Sequence, residues 1–213
     1  MALSSIIVDT TFFNYSIRFN SIDLNNILRN IISGGKVLVP SVILNEMEDF
    51  GNYYHQYANQ IQYWIGQVQQ NRFYSFCNSY DTLVYDTVRR YIDKGEADAI
   101  AQCEKTRVLH FITDDLDCIP YIKQHYSHIR INSTFFLIAI ADIQGLIPNY
   151  EQTLLEYASI LNYAAMTPAT KRTHTRRLST EYRQALQLLG NNYDEQLIYR
   201  KTGIATILRR NNP

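Results

Sequence analysis

The sequence predicts an α/β domain, a parallel sheet flanked by helices on both faces, with an all-helical C-terminal extension. Three observations carry that prediction. Short apolar segments such as Ile6-Ile7-Val8 read as strands buried on both sides. Longer stretches with apolar residues three and four apart alternate with them, and that alternation calls for crossover connections and parallel strands. Beyond Pro148 only the helical spacing persists.

The first strand is Ser5 to Val8, closed by Asp9, and Leu24, Ile27, Leu28, Ile31 and Ile32 give the stripe of a helix over 22–32. Gly34-Gly35 stops that helix, Lys36 to Val39 is a second buried strand, and Pro40-Ser41 opens another helix, because proline is tolerated in a first turn. Tyr54, Tyr57, Ile61, Trp64, Ile65 and Val68 form a further stripe, and Arg72 to Phe76 a strand. Leu83, Val84, Val88, Tyr91 and Ile92 make the next helical face, and another helix starts after Gly95. Leu109 to Ile112 is a strand running into Thr113-Asp114-Asp115, Pro120 to Tyr126 a short helix, His128 to Ile131 the last strand, and Thr134 to Gln144 a helix. Residues 1–149 thus read as one α/β domain and 150–213 as the extension. The extension has helical stripes at Leu154–Ala165 and Leu178–Leu189, a short apolar stretch at Ile204–Leu208, and a polar basic linker from Thr170 to Arg177.

Composition narrows the class. With 213 residues, 46% hydrophobic and 19% charged, the chain can bury a full core, so disorder is not the default reading. Its 17 tyrosines read first as half-buried packing residues and second as stacking faces for bases. Net charge is zero, so the whole chain does not coat nucleic acid by charge alone. That total divides into an acidic body and a basic extension: residues 150–213 carry nine Lys/Arg against five Asp/Glu. Cys77, Cys103 and Cys118 have neither zinc spacing nor the even count of a disulfide framework. The longest apolar run, Phe135 to Ala141, is far below the ~20 residues of a membrane span, and Ile6 to Val8 is too short for a secretory signal. A cytoplasmic protein with no membrane contact is the expectation.

Carboxylates recur at four places: Asp9 at the first strand's end, Glu46 in the helix after Pro40, Glu96 and Asp98 after Gly95, and Asp114/Asp115 after the fourth strand. Any single strand-end carboxylate reads more readily as a cap or turn former. Together they differ, since carboxylates gathered in a dry cleft raise one another's pKa and are costly without a cation. Mg²⁺ or Mn²⁺ suits such a set, being a hard ion that keeps waters and accepts phosphate oxygens. In open α/β sheets, ligands gather beyond the strands' carboxyl ends, where Asp9 and Asp114/Asp115 fall.

The ordered series Ile6-Ile7-Val8-Asp9-Thr10-Thr11, Val39-Pro40-Ser41 with Glu46, Gly95-Glu96-Ala97-Asp98-Ala99-Ile100-Ala101, and Phe111-Ile112-Thr113-Asp114-Asp115 resembles the PIN-domain ribonucleases, particularly the compact branch with the VapC-type toxins. Thr134 to Ala141 followed by Gly145-Leu146-Ile147 is similar to that family's closing helix, so the resemblance spans about residues 3–149. It implies that Asp9, Glu46, one of Glu96 and Asp98, and one of Asp114 and Asp115 hold one or two divalent ions for phosphodiester hydrolysis, mostly in RNA. Thr10 and Thr113 are supporting hydroxyls. Glu96 and Asp98 lie about 200° apart on a regular helix, so they cannot face one site equally. Asp98 is favoured by its Asp-Ala-Ile-Ala run, while Glu96 sits at a helix start of looser geometry; Asp115 has the family spacing from Thr113, while Asp114 is nearer the strand. The catalytic expectation is therefore Asp9, Glu46, Asp98 and Asp115.

The resemblance leaves three settings open: toxin, defence effector, or RNA-processing nuclease. An inhibitory or regulatory protein partner and self-association into a homo-oligomer are expected, and RNA is favoured over DNA as substrate. Lys171, Arg172, Arg176 and Arg177 are the leading nucleic-acid contacts, against the plainer reading of a solvated linker. The alternative to an enzyme is a fold of this kind that serves as a scaffold or RNA-binding subunit. A haloacid-type phosphatase fits less well, because Thr11 stands where its second Asp would be.

Overall fold

The computed structural model describes residues 3–77, 80–192 and 194–211. They divide into two compact units, one formed by Leu3–Ile17 with Ile32–Ser133, the other by Arg18–Ile31 with the chain from Thr134 onward.

The first unit is built on five short strands, β1 (Ile6–Val8), β2 (Val37–Pro40), β3 (Tyr74–Cys77), β4 (His110–Ile112) and β5 (Arg130–Asn132), all parallel in the order β3-β2-β1-β4-β5. The central strand is the most apolar: Ile6, Ile7 and Val8 are wholly buried. Fully burying such a side chain contributes roughly 1.5–3 kcal/mol, so β1 anchors the sheet. The helices of this unit are α1 (Thr10–Ser16), α3 (Ser41–Tyr53), α4 (Ala58–Gln70), α5 (Thr82–Val88), α6 (Lys94–Thr106) and α7 (Ile119–His125), named in a chain order that counts α2 (Leu24–Ile31) in the other unit. Trp64 on α4 joins Phe12, Phe13 and Tyr74 in edge-to-face contacts at centroid distances of 5.3–6.0 Å. Gly35 is required, since a Cβ there would lie 0.9 Å from the Ser4 carbonyl oxygen.

The strand order places the turning point of the chain between β1 and β4. From β1 the sheet grows outward through β2 and β3, then resumes on the other side with β4 and β5. Val8 pairs with Ile112, and the Asp9 N–H donates to the Ile112 carbonyl at 3.2 Å, so Asp9 and Thr113 leave the sheet side by side. Such a switch point opens a crevice that helices do not fill.

The second unit contains α2, α8 (Thr134–Ile143), α9 (Tyr150–Ile160), α10 (Pro168–Leu188), α11 (Glu195–Thr202) and α12 (Ile204–Asn211). Residues Thr134 to Ala141 of α8 are all buried, and α8 packs against α2 and α10. Glu156 of α9 accepts from the Asn20 and Ser21 N–H groups and from the Ser21 hydroxyl at 2.8–3.1 Å. Asp142 takes the Tyr182 hydroxyl at 2.7 Å and Lys201 Nζ at 2.8 Å. Among the described residues no helix is long and apolar enough to cross a membrane.

The α/β architecture and parallel sheet match expectation, with strand ends shifted by a residue or two. Two helices were not anticipated, α1 and α11. One segment is corrected: Thr170 to Arg177 is not a linker but part of the 21-residue α10. Thr167 caps that helix by accepting from the Thr170 N–H, Pro168 opens it, and His174, Leu178, Tyr182 and Ala185 form one buried stripe. A polar surface alternating with a sparse stripe is what a helix packed on one side requires.

Candidate metal centre

Asp9 is at once the last residue before α1 and its N-cap. Its Oδ1 accepts the Thr11 hydroxyl at 2.6 Å and the Phe12 N–H at 3.1 Å, while Oδ2 is buried with no hydrogen-bond partner. The side chain is 3% exposed. Burial raises its pKa to about 7; the Thr11 and Thr113 hydroxyls and the Phe12 N–H oppose that rise, and the Asp114 charge adds to it. A carboxylate with one oxygen saturated and the other buried and unpartnered is poised for a cation.

Contacts lead outward from Asp9 to the other acids. The Thr10 hydroxyl donates to Glu46 Oε2, which ties the start of α1 to α3. Gly95, in the first turn of α6, lies against the same carboxylate: a Cβ there would stand 3.4 Å from Glu46 Oε1. A helix N-terminus carries partial positive charge, and Gly95 brings that end of α6 up to the Glu46 carboxylate. Glu96 follows, buried to 8% exposure, with its pKa raised to about 7 by burial and then by the charges of Asp115, Asp93 and Glu46. The Thr11 hydroxyl accepts the Asp114 N–H at 2.9 Å, and the Thr113 hydroxyl the Asp115 N–H at 3.0 Å. Asp115 Oδ1 takes the Asp117 N–H at 2.8 Å, which shapes the loop before α7.

Asp98 has partners of its own. Its Oδ1 accepts from Gln102 Nε2 at 2.9 Å, and its pKa, raised by burial, is held down by that bond and by the Val42 N–H. Val42 is in the first turn of α3, whose N-cap position is occupied by Pro40 and provides no side-chain acceptor. Asp98 thus stands from α6 against the first turn of α3, which has no side-chain cap of its own. Its charge still reaches Glu46, which raises its pKa as the smallest of the contributions.

Hydroxyl, helix-end and charge contacts therefore link Asp9, Thr10, Thr11, Glu46, Glu96, Thr113, Asp114 and Asp115 near the β1/β4 switch point, and Asp98 joins them through Glu46. Sequence reasoning passed over Thr11, Gln102 and the closeness of Gly95 to Glu46. Gln102 stands four residues after Asp98, a helical pairing distance that offered a signal. Among the described residues no three Asp, Glu, His or Cys groups stand close enough to form a finished metal cluster. The basic residues of α10 differ from one another: Lys171 Nζ donates to the Ala164 carbonyl at 3.0 Å and Arg177 pairs with Glu181 at 3.0 Å, whereas Arg172 and Arg176 are exposed.

No profile of a known protein family matches this chain, and no curated protein is significantly similar to it.

Proposed function

We propose that the chain is a divalent-metal-dependent nuclease hydrolysing phosphodiester bonds in single-stranded nucleic acid, RNA in preference to DNA. The observation that carries this reading is Asp9 at the switch point, with a buried, unpartnered Oδ2, joined through hydroxyl, helix-end and charge contacts to Glu46, Glu96 and Asp115. Those four side chains would hold Mg²⁺ or Mn²⁺, with Asp114 as a nearby charge. A bound ion of this kind lowers the pKa of water and stabilises charge on a phosphate.

The chain's own groups prepare that chemistry. Thr11 and the Phe12 N–H lock Asp9 so that Oδ2 points away from its cap bonds. Thr10 fixes Glu46, Thr113 fixes the start of the 114–117 loop, and Asp98, held by Gln102 on its own helix, steadies α3 through Val42. Of the doubled acids, Glu96 feels the charges of Asp115 and Glu46 and Asp98 that of Glu46 alone among the candidate acids, so in the proposed centre Glu96 takes the metal and Asp98 a positioning role.

One observation favours a non-catalytic scaffold or RNA-binding subunit, namely that the described acids do not form a closed ligand set. Cleavage decides between the two. End-labelled single-stranded RNA and DNA are incubated with Mg²⁺, Mn²⁺ or chelator, beside Asp9→Asn and Asp115→Asn. Metal-dependent cutting that both substitutions abolish supports the nuclease. Cutting unaffected by chelator, or no cutting with either metal, refutes it. A toxin or defence role, a regulatory protein partner and a homo-oligomer are the setting proposed with it.

A further inference from the structure

The turn between α5 and α6 holds a group that the catalytic proposal does not use. Tyr91 is 66% exposed, yet its ring stacks on Tyr121 of α7 at a centroid distance of 4.9 Å and an interplanar angle of 18°. The core of this region is built from its neighbours instead: Val88 and Ile122 are fully buried, and Ile92 packs against them. One face of Tyr91 is therefore covered by a ring while most of the side chain is open to solvent. A planar aromatic of that kind is a surface for a nucleobase.

Charge surrounds it. Arg89, Arg90 and Lys94 are exposed, and none has an ion-pair partner among the described residues. Lys123 and His125 on α7 are also exposed, and the His125 ring lies 4.6 Å from that of Tyr121. Asp86 and Asp93 are the exposed acids of the same turn. Cations interleaved with aromatics form the pattern that tracks a single strand, unlike the aromatic group of Phe50, Tyr54 and Tyr57, where Phe50 shares its helix with Glu48 and Asp49.

The position is also informative. Tyr91 stands two residues before Asp93, the N-cap of α6, and α6 delivers Glu96 in its first turn. Tyr121 lies in the first turns of α7, directly after the loop that carries Asp114 and Asp115. Both rings thus border segments that supply the candidate centre.

We propose that the α5–α6 turn and α7 form a single-strand grip, in which an unpaired base stacks on Tyr91, backed by Tyr121, while Arg89, Arg90 and Lys94 neutralise the flanking phosphates. The grip rests on the reading of the carboxylate centre as a nuclease for its purpose, but not for its measurement. Binding is read by fluorescence anisotropy in chelator at low salt, with RNA and DNA single strands about 12 nucleotides long and a duplex of the same sequence. Both single strands bind, and the duplex binds about tenfold more weakly. Tyr91→Ala weakens single-strand binding about tenfold, Tyr91→Phe restores it, and Arg89/Arg90/Lys94→Ala flattens the log–log salt slope by about 2. Wild-type affinity in Tyr91→Ala, duplex binding as tight as single-strand binding, or no binding by the wild-type protein overturns the grip. The two ideas fail separately. Binding of this pattern without cleavage in any metal removes the nuclease and keeps the grip, whereas cleavage with an inert Tyr91→Ala removes the grip and keeps the nuclease.

Discussion

Asp9→Asn is expected to stabilise the metal-free protein at pH 8 while destroying its activity. The folded Asp9 carboxyl holds its proton until about pH 7, whereas the unfolded chain releases it near its ordinary value of 3.8. Between those values the folded state binds more protons, so stability is highest at the acid end and falls as pH rises through the window. For a side chain that is 3% exposed, the loss amounts to about 4 kcal/mol as an upper figure. Asparagine carries no charge to desolvate, and it caps a helix about as well as aspartate, so the Phe12 N–H keeps its acceptor. The assay is thermal unfolding in chelator at pH 4, 6 and 8, where each kcal/mol shifts Tm by roughly 2–4 °C in a chain of this size. The variant should match the wild type at pH 4 and melt several degrees higher at pH 8. Adding Mn²⁺ at about a hundred times its Kd should return about 2.7 kcal/mol to the wild type and much less to the variant. Equal pH profiles for the two proteins, or equal stabilisation of both by Mn²⁺, would refute the account of Asp9 as a buried charge awaiting a cation.

The other predictions concern the division of labour among the acids and cations. Glu96→Gln should cut the cleavage rate by orders of magnitude without loss of stability, because it relieves repulsion with Asp115 and Glu46. Asp98→Ala should instead cost about 1–2 kcal/mol in denaturant unfolding, since the Val42 N–H loses its acceptor, and should slow cleavage less; the reverse ranking would put Asp98 on the metal. Asp115→Asn should abolish cleavage, and Asp114→Asn should reduce it to a smaller extent, as measured by initial rates at saturating Mn²⁺. On α10, Arg172→Ala with Arg176→Ala should lower nucleic-acid affinity more than Lys171→Ala with Arg177→Ala, whose cations are already engaged; equal effects in anisotropy would remove that distinction.

What the sequence made legible follows from where each signal resides. Strands buried on both faces show as apolar runs, because every position must avoid water, and β1, β2 and β4 were found that way. The helix α1 was not, for Thr10-Thr11-Phe12-Phe13-Asn14 has low intrinsic helix propensity and offers only two adjacent apolar residues. Its start was nonetheless encoded, in the Asp9 cap. The helix α10 was misread for the opposite reason: its exposed faces are so polar that the stripe of His174, Leu178, Tyr182 and Ala185 was recognised only in its second half. Tertiary burial of that stripe holds the first half, and no local pattern reports it.

The choice between Glu96 and Asp98 shows a second limit. Their separation on α6 is local, about 200° on a regular helix, so the two acids cannot face one site equally. Which one does depends on the partner of each. Pro40 leaves the first turn of α3 without a side-chain cap, and Asp98 supplies an acceptor to Val42 across the helix pair. Once Asp98 is committed to that backbone group and to Gln102, Glu96 is the acid of this turn that remains beside Asp115. In the proposed centre, a cap missing in one helix decides which carboxylate another helix offers to a cation. Substituting Asp98 with asparagine tests that coupling, because the amide oxygen can still accept from Val42. Helix α3 and Glu46 should then stay in place, and the cleavage rate should exceed that of Asp98→Ala. Equal loss in the asparagine and alanine variants would show that the charge of Asp98, not its cap, is what the centre uses.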